Sequence, residues 1–155
     1  VMNADTTGVT TYSNFPMDSL WTHTDGTPYG LTSAGLYRLD GADDDGDPIN
    51  AVVATGDLDF GTSREKNVPR AYLYITQTGA CVLKTITSVR GSRHETYYEL
   101  AERTTDGDDD NTYRRVPLGR VVRGIWWRFE VHNVDGSDFD LDGAEVLPVV
   151  LSRRG

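Results

Sequence analysis

A chain of 155 residues with 37% hydrophobic and 10% aromatic residues carries enough apolar side chains for a core, which excludes the intrinsically disordered class. Its 24 acidic against 15 basic residues give a formal charge of −9, so nucleic acid and anionic membranes are not expected partners: phosphate contacts need a concentrated positive surface. No apolar run approaches the roughly 20 residues of a membrane span.

Apolar residues recur in short runs punctuated by Gly, Asp, Asn and Pro, the pattern of strands joined by turns. In chain order the predicted strands are Gly8–Tyr12, Leu20–His23, Tyr29–Thr32, Leu36–Leu39, Ile49–Thr55, Ala71–Gln77, Cys81–Val89, Thr96–Glu102, Thr112–Pro117, Ile125–Asn133 and Ala144–Ser152. Helical spacing is nearly absent, so the expected class is all-β. Asp25-Gly26, Ala34-Gly35, Thr78-Gly79, Arg90-Gly91, Asp106-Gly107 and Asp135-Gly136 supply turn chemistry, since Gly tolerates the positive φ of tight hairpins.

Two strands alternate cleanly. Ile125, Trp127, Phe129 and Val131 share one face of their strand and Trp126, Arg128, Glu130 and His132 the other. Ala71, Leu73 and Ile75 likewise oppose Tyr72, Tyr74 and Thr76. Two sheets packed face to face would bury both apolar faces, which predicts an antiparallel two-sheet β-sandwich. Pro148 interrupts the last strand and marks it as an edge or a kink. A composition shift near Asp40–Pro48 divides the chain into an N-terminal β-hairpin segment, residues 1–40, expected to end an upstream domain, and the sandwich, residues 41–155. The opening Val1-Met2 and the close at Gly155 fit a segment of a longer polypeptide.

Candidate sites are few. Cys81 is the lone cysteine, in an apolar strand, and is expected to be a buried thiol. The acidic loops Asp40–Asp47, Asp106–Asp110 and Asp135–Asp142 raise a calcium site, and Asp138, Asp140, Asp142 and Gly143 match the first positions of an EF-hand loop. The required Glu at position twelve is Val149, so no metal or other cofactor is expected. His23, His94 and His132 are scattered, and nucleophile-elbow, P-loop and dinucleotide motifs are absent, so no catalytic residue is assigned. Tyr72, Tyr74 and Trp126 on outward faces are candidates for a protein interface or a sugar-stacking platform. Arg120, Arg123 and Arg128, in a basic stretch that includes Arg114 and Arg115, are expected to form ion pairs within the domain or between copies.

Three stretches together resemble a family of tail proteins of long-tailed bacteriophages, found towards the C-terminus of large tail-tip or minor tail polypeptides. They are Tyr12-Ser13-Asn14-Phe15-Pro16-Met17-Asp18-Ser19-Leu20 with Gly35-Leu36-Tyr37-Arg38-Leu39-Asp40-Gly41; Asp45-Gly46-Asp47-Pro48-Ile49 with Thr55-Gly56-Asp57-Leu58-Asp59-Phe60-Gly61 and Lys66-Asn67-Val68-Pro69; and Gly119-Arg120 through Arg123-Gly124-Ile125-Trp126-Trp127-Arg128-Phe129 with Pro148-Val149-Val150-Leu151-Ser152-Arg153-Arg154. Met17 departs from the pattern, which has an aromatic there. The resemblance implies a non-enzymatic component of the virion tail tip or baseplate, partnered by other tail proteins and copies of itself, with host contact in addition. The alternative expectation is a module that binds a cell-surface glycan, alone or with calcium.

Overall fold

The computed structural model describes residues 16–41, 43, 44, 46–101 and 113–151. The predicted strand Gly8–Tyr12, the loop Asp106–Asp110, the first motif's Tyr12 to Phe15, and Glu102, Thr112, Ser152, Arg153 and Arg154 lie outside those residues. Every regular element among the described residues is a β-strand, so none is a helix able to cross a membrane.

The chain divides into two compact units, Val1–Gly41 and Ala42–Gly155. In the first, β1 (Ser19–Thr22), β2 (Pro28–Thr32) and β3 (Gly35–Arg38) form an antiparallel meander with β2 central. Trp21 stacks on its cross-strand partner Tyr29, ring centroids 5.8 Å apart. Met17 packs on Gly30: a Cβ there would lie 2.5 Å from Met17 Sδ, so the Met17 side chain would have to move aside.

The second unit holds β4 (Asp43–Asp44), β5 (Asp47–Pro48), β6 (Val52–Ala54), β7 (Lys66–Asn67), β8 (Arg70–Gln77), β9 (Cys81–Val89), β10 (Ser92–Leu100), β11 (Tyr113–Pro117), β12 (Trp126–Asn133), β13 (Phe139–Val146) and β14 (Val149–Val150). One antiparallel sheet runs β10-β9-β12-β6 and a second β11-β8-β13, with β4-β5 and β7-β14 as small ladders. The sandwich expectation holds. Leu73 and Ile75 from the three-stranded sheet and Leu83, Leu100, Trp127, Phe129 and Val131 from the four-stranded one belong to one buried cluster. Cys81 is buried in it, and desolvation pushes its thiol pKa up. Ile125, expected in this core, is not part of that cluster and is only half-buried.

Tight turns hold the strands in register. Arg90 (φ 49°) and Gly91 (φ 86°) are the two residues between β9 and β10, a type I′ hairpin. Asp135 and Gly136 (φ 51° and 73°) form the same turn between β12 and β13, closed by Ser137 N–H donating to the Val134 carbonyl. Both the β8–β9 and β12–β13 connections cross from one sheet to the other, and Ser137 Oγ ties the two corners by donating to the Ala80 carbonyl at 2.8 Å.

Two further expectations need correction. The stretch Asp135–Asp142 is not one loop: the turn ends at Ser137, and Phe139 to Leu141 already pair with β8, Phe139 and Leu141 packing on the core. The final strand does not run from Ala144 to Ser152. β13 ends at Val146, and after Pro148 the chain changes partner, Val149 and Val150 pairing with β7.

Candidate functional site

The outer face of the four-stranded sheet gathers a network of polar and aromatic side chains. Residues opposed across an antiparallel ladder share a face, so register alone places Arg93, Ser88 and Trp126 in one row, Glu95, Ile86 and Arg128 in the next, and Tyr97, Lys84 and Glu130 in a third. Glu130 is the hub. Its Oε1 meets Arg128 Nε at 2.8 Å, and its Oε2 meets His132 Nε2 at 3.0 Å and Lys84 Nζ at 3.8 Å. Lys84 also reaches Glu95 Oε2 at 3.1 Å, which accepts the Tyr97 hydroxyl at 2.7 Å. Lys84 Nζ lies 5.5 Å from the Tyr97 ring centroid.

These contacts fix charge states. Burial raises the pKa of Glu130, but the His132 bond and the charges of Lys84 and Arg128 outweigh it and hold the carboxyl below the ordinary glutamate value. The Tyr97 hydroxyl and then Lys84 lower Glu95, and Glu95 raises both Tyr97 and Lys84. The central carboxylates are thus stabilised as anions, the opposite of what a general acid needs.

At one end of this face a concavity of about 240 Å3 is lined by Trp126, Arg93, Asp57 and Ser88 over an Ile86 floor. Trp126 is 44% exposed and offers a flat ring beside hydrogen-bonding groups of both signs. Tyr97, which the sequence reading did not single out, is 60% exposed four positions along β10 from Arg93.

The three-stranded sheet carries a second patch. Tyr72 and Tyr74, on the outward positions of β8, flank Tyr113 of β11, whose ring stacks on Tyr72 (centroids 5.6 Å, planes 20° apart) and tilts against Tyr74 at 5.6 Å. Tyr74 Oη donates to Glu145 at 3.3 Å, and that carboxylate raises the phenol's pKa.

The remaining candidates separate. Arg128 is ion-paired as expected. Arg120 and Arg123 are exposed in the segment between β11 and β12, and no ion pair involves either among the described residues. Asp138 precedes β13, Asp140 pairs with Thr76 inside it, and Asp142 sits at a bulge between Leu141 and Gly143. Among the described residues no three His, Cys, Asp or Glu side chains converge to hold a metal ion. No family model and no curated protein matches the chain.

Proposed function

We propose that this chain is a non-catalytic β-sandwich module of a tailed-bacteriophage virion, part of the tail tip or baseplate, that works by docking its outer faces against copies of itself and other tail proteins. The observation that carries the reading is the Tyr72–Tyr113–Tyr74 patch. Two phenol rings packed on a third, Tyr113, on an outward sheet face, with Tyr113 42% exposed, present rigid amphipathic area of the kind enriched at protein interfaces. Edge strand β6 adds Val52 and Val53, both about half exposed, on a strand that among the described residues pairs only with β12. The phage-like motifs supply the frame: Asp59-Phe60-Gly61 forms a tight turn that seats Phe60 against the core, and Gly124 sits against Trp127. The test is particle assembly with Tyr72→Ser/Tyr113→Ser in the parent polypeptide. Malformed or tailless particles are expected, and a wild-type yield of infectious particles would overturn the reading.

A second reading, glycan binding, is favoured by the concavity beside Trp126, where a sugar ring could stack on the indole while Asp57 and Arg93 bond its hydroxyls. A glycan array with wild type and Trp126→Ala, with and without chelator, separates it from assembly alone: sugar binding lost in Trp126→Ala supports it, and chelator sensitivity adds calcium.

A further inference from the structure

At the edge of the same unit, the loop before β7, the β9–β10 turn and the segment before β12 line an open pocket of about 550 Å3, and three of its lining residues are arginines: Arg64, Arg90 and Arg123. They come from distant parts of the chain and line one pocket only through folding. Among the described residues Glu65 is the one carboxylate in the lining and none of the three arginines makes an ion pair, although acids outnumber bases in the chain. Arg64 spends one Nη2 bond on the Leu151 carbonyl at 3.1 Å, which braces it at the pocket wall. Arg90 occupies the first central position of a type I′ turn with φ 49°, where Asn, Asp or Gly is favoured. An arginine there costs the turn something and gives the pocket a charge. Val89 and Ile125 form an apolar side to the same space.

We propose that this pocket is an oxyanion site, which receives the carboxylate or phosphate group of a small ligand and lays the ligand's apolar body on Val89 and Ile125. Guanidinium forks bind both groups through paired N–H donors, and a site with three cations against one carboxylate is short of negative charge until such a group enters. The pocket shares no lining residue with the Trp126 concavity and does not depend on either reading of function.

The test is a two-dimensional amide NMR titration of the full chain with inorganic phosphate, acetate and benzoate, each against chloride at matched ionic strength. Saturable shifts centred on Arg90, Gly91, Arg123 and Gly124 are expected, with a midpoint on the order of millimolar. Arg90→Gln and Arg123→Gln, both at exposed positions and so compatible with the fold, should each raise the midpoint roughly tenfold. Tighter phosphate identifies a phosphoryl source and tighter benzoate a carboxylate on an apolar body; either supports the site. Non-saturating shifts equal to those of chloride, or a wild-type midpoint in the double variant, would overturn it.

Discussion

Trp126 and Trp127 are neighbours in the chain and point to opposite sides of β12: Trp127 is 0% exposed and stacks on Phe129 at 5.9 Å in the core, whereas Trp126 is 44% exposed on the outer face. The pleat makes the two indoles a matched pair of probes. Trp127→Ala removes a large buried ring and should cost roughly 3–5 kcal/mol, read from denaturant unfolding. Trp126→Ala should cost about 1 kcal/mol or less. Equal losses from the two would mean that the face assignment is wrong.

Gly124 is a glycine because of space. A Cβ would lie 2.9 Å from Thr87 Cβ and 2.9 Å from the Trp126 carbonyl oxygen, and the latter is backbone that cannot swing away. Gly124 also exchanges backbone hydrogen bonds with Lys66 at 2.8 and 2.9 Å, which ties the loop before β12 to β7. Gly124→Ala should therefore lower stability by about 1–3 kcal/mol. The check is the denaturation midpoint, with an unchanged slope showing that the same surface unfolds.

The Glu130 network sets a pH dependence. Its folded-state pKa lies below the ordinary glutamate value of 4.5, so the folded protein binds that proton less readily than the unfolded chain. The stabilisation is fully present above pH 4.5 and is lost as pH falls through the folded-state pKa. Glu130→Gln should be less stable than wild type at pH 7 by about 1–3 kcal/mol, and the gap should narrow below pH 4.5. A gap that stays constant from pH 7 to pH 3 would contradict the charge assignment.

Arg90 offers a separation of stability from binding. Arg90→Asn places a residue suited to positive φ in the β9–β10 turn and should raise stability by a few tenths of a kcal/mol, about 0.5 at most. The same change should weaken oxyanion binding. Thermal unfolding and the anion titration on one sample decide both.

Much of the sandwich was legible because β8 and β12, each eight residues long, alternate apolar and polar residues far enough to name a face. The start of β13 was not. Phe139-Asp140-Leu141-Asp142 has the same period of two, but its acids, next to the Asp135-Gly136 turn, read as loop. β7 is two residues long and carries no pattern at all. The faces themselves were half readable: Tyr72, Tyr74 and Trp126 follow from alternation, as does Tyr97 in hindsight, with Tyr98 and Leu100 turned inward beside it. The meeting of Tyr72 with Tyr113 and of Lys84 with Glu130, and the placing of Arg64, Arg90 and Arg123 around one pocket, depend on the register and crossing of strands far apart in sequence, which no local pattern specifies.

Where the tyrosine face sits in the assembled particle is the most direct test. A density map of the intact virion, at a resolution that places this domain, should show it in the tail tip or baseplate in several copies, with Tyr72, Tyr74 and Tyr113 against a neighbouring protein. A particle lacking the domain, or one in which that face is open to solvent in every copy, would contradict the assembly role.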